Sequence, residues 1–369
     1  MEIRKIVITG GPCAGKTTAL SWIQNAITEL GYTVLFVPET ATELIGGGVA
    51  PWTCGSNLDY QKCQLRMQLG KEKVFEQAAS TMAADKILIV CDRGALDNKA
   101  YMNDAEFAAV LEYLGTGEPE LRDAYDAVFH LVTAAKGAEE HYTTLNNAAR
   151  YETVEEARAL DDRLIASWSG HPHLRIIDNS SDFDRKMQRL ISEITAFLGA
   201  PHPFRERRRF LIAYPDLKWL ESRPNCRHVE ISETYIFPEN GDEIRVRRRG
   251  LSGHYTYYET TRRNRGGQEK VETERKLSGD EYRSLLANAG PETFRLKKDR
   301  WYLIYENQYF EIDLYPFFRD RAIAEIQLGE GSPKIRFPAE IRVLREVTRE
   351  DTYRNVSLAR NYAAGLKET

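Results

Sequence analysis

Residues 10–18, Gly10-Gly11-Pro12-Cys13-Ala14-Gly15-Lys16-Thr17-Thr18, satisfy the pattern G-x-x-x-x-G-K-[ST]. Glycines at these places let backbone N–H groups curl around a phosphate, and the N-terminus of a following helix adds positive potential. Lys16 would reach the β- and γ-phosphates of a nucleoside triphosphate, and the Thr17 hydroxyl would ligate Mg²⁺. Gly10, Gly11, Ala14, Gly15 and Thr18 complete the expected cradle. Cys13, inside the loop, reads more simply as a small turn residue than as a redox group.

The flanking sequence supplies the elements such a loop needs. IRKIVIT (3–9) reads as a buried parallel strand, and 16–30 as a helix that stops at Gly31. TVLFVPE (33–39) and KILIVCD (86–92) are further apolar strands, ending in Glu39 and Asp92. A carboxylate ending the strand beside the loop can hold the magnesium shell or a reacting water. Asp92 is therefore assigned with Thr17 to the metal, and Arg93 to the bound nucleotide. Glu39 has two readings, a base on an acceptor hydroxyl or a helix-capping acid. A long amphipathic helix is expected over about 57–80. A strand at 127–133, a helix over 153–169, a strand at 174–178 and a helix over about 182–198 follow. Alternating strands and helices over 200 residues mean a doubly wound parallel sheet. Arg150 and Arg163 flank the polar stretch after the fourth strand. Each is either a lid group that closes on phosphates or an ordinary surface or ion-paired arginine.

Charge divides the chain. Residues 1–200 carry 19 Lys+Arg against 28 Asp+Glu, and residues 201–369 carry 32 against 27, within a net charge of −4. Opposite signs in the two halves predict two domains, 1–200 and 201–369, with the break at GAPHP (199–203). No apolar run reaches the roughly 18 residues of a membrane span. The N-terminus shows no secretory leader. Five scattered cysteines without CxxC spacing argue against a disulfide framework or a zinc site, and a cytoplasmic protein is expected.

The second half reads as antiparallel strands with one helix, 278–290. Arginines cluster at 205–209, 245–249 and 262–265, and guanidinium forks suit phosphate. Alternation puts Arg245 and Arg247 on one face, and likewise Lys270, Glu272 and Glu274, then Glu311 and Asp313, with Glu325 on a later strand. Charged residues recurring on one face of many strands describe a β-barrel with a polar interior. Arg209, Lys297 and Arg300 complete its candidate ligand face. The competing reading is a solvated sheet face. Nucleic acid is not expected, because the tyrosines of HYTYYETT (254–261) are explained by a sheet core.

Several motifs together carry a family resemblance. GGPCAGKTT, the PET at 38–40, CDRG at 91–94 and NNAARYETVEEARALDDRLIASWSGHPHLRIIDN (146–179) resemble the AAA-type module related to the nicotinamide-riboside kinase domain of NadR. This resemblance implies that Arg150 and Arg163 belong to a lid over the nucleotide. In the second half, ETYIFPENGDEIRVRRRG, ETERKLSGDEY, FRLKKDRWYLIYENQYFEIDLYP and AIAEIQL resemble the CYTH, or triphosphate-tunnel, domain. Catalytic members begin with an E-x-E-x-K strand that holds metal. Here residues 205–209 put arginines where two carboxylates belong, which favours anion binding over triphosphatase chemistry. The fusion of both modules resembles the TRPL translocation defect protein family. That resemblance implies a nucleotide-binding protein that also contacts phospholipid headgroups, with peripheral membrane contact.

Three functions stay open at this level. The first is a nucleotide-regulated protein whose barrel holds a phosphorylated small molecule or an anionic lipid headgroup. The second is a small-molecule or nucleoside kinase. The third is a tunnel triphosphatase. The chain has no N-K-x-D guanine signature in evidence, so ATP and GTP both remain as cofactors with Mg²⁺.

Overall fold

The computed structural model describes residues 1–142, 153–199, 206–238, 242–263, 271–290, 292–328 and 334–365. Two compact units result: Met1–Arg205 with Gly329–Pro333, and Glu206–Leu328 with Lys334–Thr369.

Unit 1 runs β1 (Glu2–Gly10), α1 (Lys16–Glu29), β2 (Thr33–Val37), α2 (Thr40–Gly46), α3 (Asn57–Thr81) and β3 (Lys86–Asp92). A 3₁₀ segment, Ala95–Tyr101, leads to α4 (Asp104–Leu114), α5 (Glu118–Arg122) and β4 (Ala127–Leu131). Then come α6 (Val154–Ser167), β5 (Leu174–Ile177) and α7 (Phe183–Phe197). The five strands are parallel in the order β2-β3-β1-β4-β5. Ile6, Val7 and Ile8 of the central strand are wholly buried, which is why that strand is apolar on both faces. Ile6 and Ile8 share a core with Ile23 and Ile27 of α1 and Met187, Leu190 and Ile194 of α7. Successive strands are added first on one side of β1 and then on the other, so the carboxyl ends of β1 and β3 open the crevice where such sheets bind ligands. The predicted strands and long helices are present. α2, α4 and α5 are additional, too short or too locally capped to stand out by periodicity.

Unit 2 runs β6 (Glu206–Ala213), α8 (Leu217–Glu221), β7 (Cys226–Ile236), β8 (Glu243–Leu251), β9 (His254–Arg263) and β10 (Val271–Leu277). It continues through α9 (Gly279–Ala287), β11 (Thr293–Tyr305), β12 (Gln308–Leu314), β13 (Arg321–Leu328), β14 (Val343–Glu346) and α10 (Asn355–Gly365). The nine strands form one antiparallel sheet ordered β10-β9-β8-β7-β11-β12-β13-β6-β14. Among the described residues no ladder joins β10 to β14, so the hydrogen bonding shows an antiparallel sheet and not the closed barrel expected. One face is a core of Phe210, Ile212, Trp301, Leu303, Phe310, Ile312, Ala322 and Ala324. β11 starts at Thr293, seven residues before the apolar stretch RWYLIYE (300–306) that reads as a strand in the sequence, because Lys297-Lys298-Asp299 hides its alternation. The stretch AEIRVLREVT (339–348) reads as a strand in the sequence, but only β14 forms, and its register slips between Val343 and Arg345. Among the described residues, no helix is long and apolar enough to cross a membrane. Among the described residues no two cysteines are joined in a disulfide.

Candidate functional site

The loop after β1 is shaped by two glycines that no other residue could replace. Gly10 has φ of +149°, and a Cβ there would sit 2.1 Å from the Leu131 carbonyl oxygen. Gly15 has φ of +90°, and its Cβ would meet the Phe183 ring at 2.6 Å. Gly15 caps α1, so Lys16, Thr17 and Thr18 open the helix with their N–H groups free of intrahelical partners. Lys16 Nζ donates to the carbonyls of Gly10 (3.0 Å) and Gly11 (3.3 Å). Burial, reinforced by the nearby Arg93 cation, lowers its pKa to about 8.

Asp161 of α6, wholly buried, holds this loop from behind. Its Oδ1 accepts from Gly11 N (3.0 Å), His130 Nε2 (2.9 Å) and Thr133 N (3.2 Å), and its Oδ2 from Lys136 Nζ (3.0 Å). Burial opposes its charge, but His130 and Lys136 outweigh that and hold the carboxyl well below its usual range. Gly11 therefore cannot offer its N–H to a phosphate as the sequence suggested, because Asp161 already takes it. Gly10 likewise serves the close approach to β4. Ala14, Gly15, Lys16, Thr17 and Thr18 do line the cleft. Lys186 of α7 adds a second strut, donating to Ala14 O (3.1 Å), Val132 O (2.7 Å) and Asn179 Oδ1 (2.7 Å).

Asp92 ends β3 in register with Ile8. Its Oδ1 is buried and has no partner among the described residues. Burial raises its pKa, partly offset by Lys16. Arg93 follows in a left-handed conformation with φ of 69°, and its Nε donates to Glu39 Oε1 in a short ion pair. Glu39 precedes α2 as its cap residue, yet its side chain caps nothing. It accepts instead from Arg93 and from Thr42 Oγ1 (2.8 Å). Burial works against ionising Glu39, but Arg93 and Lys16 prevail and set its pKa at about 2. The cleft shared by Lys16, Glu39, Asp92 and Arg93 measures about 1960 Å³. A single small ligand occupies roughly 300–1,000 Å³, so there is room for a nucleotide and a second molecule.

Of the remaining sequence candidates, Arg163 lies elsewhere. Arg163 Nε donates to the Ala100 carbonyl (3.0 Å) and the residue does not line the cleft. Arg150 falls outside the described residues. Asp161, Lys186, and Asp97 were not singled out by the sequence. Asp97 Oδ1 accepts from Thr9 Oγ1 (2.6 Å) and Trp168 Nε1 (2.8 Å), tying β1 and α6 to the turn after β3. The only sequence trace of Asp161 is its place in the ARALDDR run, where a helical aspartate reads as a surface residue.

In unit 2 the charged sheet face is an interlocked network. Lys298 and Arg300 both bond Asp313, at 2.8 Å from Nζ and at 2.6 and 2.7 Å from the guanidinium, and Arg300 also pairs with Glu311. Arg247 reaches Glu274 at 3.2 Å, Arg245 lies within 4 Å of both Glu274 and Glu233, and Arg207 and Arg209 bracket Glu325 at 3.0 and 2.9 Å. Burial opposes the charge of Glu233, but Lys298, Arg245 and Arg247 bring its pKa to about 2. Lys297 does not belong to this face. It is exposed, and the neighbouring Lys298, of opposite strand parity, points inward. Lys270 lies outside the described residues, and Glu272 is placed only by its pairing with Arg262 in β10.

Comparison with known proteins bears on unit 1. Residues 5–186 match the family model described as an AAA domain. No curated protein matches the chain in sequence. Among solved structures, the inorganic triphosphatase NE1496 is 22% identical over 43% of this chain and 97% of that one, with a TM-score of 0.30. The PH1819 protein from Pyrococcus horikoshii OT3 is 17% identical over 34% and 80%, with a TM-score of 0.26. Thymidylate kinase from Candida albicans is 16% identical over 53% and 92%, with a TM-score of 0.39. The matched family model, the parallel sheet and the glycine-built loop at the end of its central strand make the first unit an AAA-type P-loop domain.

Proposed function

We propose that unit 1 binds a magnesium nucleoside triphosphate, ATP or GTP, and transfers its γ-phosphoryl group to the hydroxyl of a small molecule. One observation carries this reading: Asp92 Oδ1 is buried, unpartnered and in the same cleft as Lys16, Glu39 and Arg93. Native structures leave few buried polar atoms orphaned, and those they leave call for a missing ligand or ion. The donor set suits magnesium, since the Thr17 hydroxyl and the Asp92 carboxylate are the oxygen ligands it prefers. Bound there, the ion would neutralise charge on the β- and γ-phosphate oxygens. Lys16 exchanges its loop carbonyls for phosphate oxygens, which also restores its full positive charge. Glu39, ionised and far too acidic to take up a proton, positions Arg93 and accepts from the acceptor hydroxyl. That division suits phosphoryl transfer, whose loose transition state needs positioning and charge more than a strong base.

The test is turnover. Protein with Mg²⁺ and ATP or GTP is followed by nucleotide chromatography, with and without small alcohols, beside Lys16→Ala. Acceptor-dependent formation of nucleoside diphosphate, absent in the variant, supports the reading. Tight binding without turnover for either nucleotide overturns it.

A second reading rests on unit 2. Arg247, Lys298 and Arg300 are nearly buried on one face, and Arg247 Nε has no partner among the described residues. On this reading the P-loop domain is a nucleotide-dependent regulator, and unit 2 binds a phosphorylated ligand through these cations. Inorganic tripolyphosphate and anionic vesicles, titrated separately, distinguish a soluble phosphate from a lipid headgroup. The arginines around Glu325 count against metal-dependent triphosphate hydrolysis at this face.

A further inference from the structure

Outside the phosphate loop, the lining of the cleft has its own set of unsatisfied atoms. Thr40 of α2, Tyr60 and Gln61 of α3, and Asn98 of the 3₁₀ segment are only 2–4% exposed, and all four line the cleft. Thr40 Oγ1, Tyr60 OH, Gln61 Oε1 and Asn98 Oδ1 have no hydrogen-bond partner among the described residues. Asn98 is oriented by its own amide, which donates to Gln68 Oε1 (2.9 Å) and Ala95 O (3.0 Å), so its oxygen is the atom left over. Burial pushes the Tyr60 phenol up to about 12, which keeps its proton in place. Four orphans on one wall mark a pocket whose hydrogen bonds a ligand completes.

The charges on the lining narrow the ligand. Among the described residues its cations are Lys16, Arg93 and Lys186. Lys16 belongs to the loop, Lys186 is spent on three oxygens behind it, and Arg93 is held through Nε by Glu39. Glu39 and Glu43 of α2 also line this cleft. A phosphomonoester would bring nearly two negative charges to a wall with one guanidinium, whose Nε is held by Glu39 and whose Nη1 alone is left over among the described residues, with the carboxylates of Glu39 and Glu43 beside it. Phosphate sites are normally built from open guanidinium forks and ammonium groups.

We infer that this wall binds an uncharged small molecule bearing several hydroxyl or N–H groups, and not a molecule that already carries a phosphate. The oxygens of Gln61 and Asn98 can only accept, so the ligand supplies at least two hydrogen-bond donors, and the Thr40 and Tyr60 hydroxyls serve either way. The inference rests on the phosphoryl-transfer reading only for the fate of the ligand. In that step the ligand oxygen bonds to the γ-phosphorus as the bond to the β,γ-bridging oxygen breaks. The nucleoside diphosphate leaves with that electron pair, and the hydroxyl proton passes to solvent.

The experiment is calorimetric. Full-length protein is saturated with Mg²⁺ and a non-hydrolysable ATP or GTP analogue. It is then titrated with matched pairs: myo-inositol, ribose and uridine, each against its monophosphate. At least one uncharged member is expected to bind at least tenfold more tightly than its phosphate, and Gln61→Leu to weaken that binding tenfold or more. Preferred binding of a monophosphate, or no binding of any uncharged member at millimolar concentration, overturns the inference. Should Gln61→Leu not fold, the wild-type pairs decide alone. An uncharged ligand that binds but never receives the γ-phosphoryl group refutes the transfer reading and leaves the pocket's preference standing.

Discussion

Asp161 accepts the Gly11 N–H at 3.0 Å, so a helix 150 residues further along the chain sets the path of the phosphate loop. Asp161→Ala strands three buried donors at once, Gly11 N, His130 Nε2 and Thr133 N, while Lys136 keeps Asp162. Breaking such a buried charged network costs about 3–5 kcal/mol, which for a domain of this size lowers the melting temperature by roughly 10 °C or more. Asp161→Asn, which keeps an acceptor oxygen, should lose markedly less. Thermal unfolding of both variants checks the order, and equal losses would show that the carboxylate merely fills space.

Lys16→Ala should leave the melting temperature of the ligand-free protein nearly unchanged, since Lys16 touches only two loop carbonyls. Nucleotide affinity should fall by one to two orders of magnitude, the worth of about 1.5–3 kcal/mol for a charged hydrogen-bonding group. Equilibrium titration with a fluorescent nucleotide measures it. Affinity within threefold of wild type would remove the loop from nucleotide binding.

Affinity should also depend on pH. The folded pKa of Lys16 is about 8 against an ordinary 10.5, so the ligand-free protein sheds that proton earlier than an unfolded chain. Ligand-free stability therefore rises between about pH 8 and 10.5, while the ammonium that phosphate needs is lost. Nucleotide binding should weaken as pH climbs past 8, and Lys16→Arg should flatten the curve. A flat wild-type profile from pH 6.5 to 9.5 contradicts the assignment.

Glu39 predicts the acid side. Its folded pKa of about 2 lies below the ordinary 4.5, so its contribution to stability is complete above 4.5 and disappears as pH falls through 2. Glu39→Gln should lose stability at pH 7 and show a shallower decline between pH 4.5 and 2. Denaturant midpoints across that range decide, and parallel curves for the two proteins would contradict the pairing with Arg93.

For unit 2, the neutral pair of changes Arg245→Met with Arg247→Met is the better probe. Reversal to glutamate would set new carboxylates beside the buried Glu233, whose low pKa depends on both arginines. The methionine double variant should fold and bind tripolyphosphate at least tenfold more weakly. Undiminished binding in a folded variant excludes this face as the phosphate site.

The sequence showed the loop, the strand that carries it and the acids at two strand ends, because phosphate chemistry there depends on local spacing. It could not show Asp161, whose importance lies in contacts with Gly11 and His130 made across the sheet. Nor could it show the orphaned Thr40, Tyr60, Gln61 and Asn98, which look like ordinary polar residues until burial is known. Lys297 and Lys298 illustrate a different failure. Adjacent lysines in a strand differ only in parity, and parity cannot be assigned until the strand's start at Thr293 is known. Arg163 failed for a third reason, since a guanidinium near a lid can as well be absorbed by a backbone carbonyl, here that of Ala100.

The pairing of Arg300 and Lys298 with Asp313, and of Arg247 with Glu274, changes what recognition means on that sheet. An anion bound there, as the second reading proposes, would meet cations that already hold carboxylates, so apart from left-over atoms such as Arg247 Nε its contacts would displace a carboxylate. Binding becomes an exchange of ion pairs, in which the net charge released to solvent is small. Affinity for this face should consequently vary little with ionic strength, unlike the steep dependence of an open arginine patch.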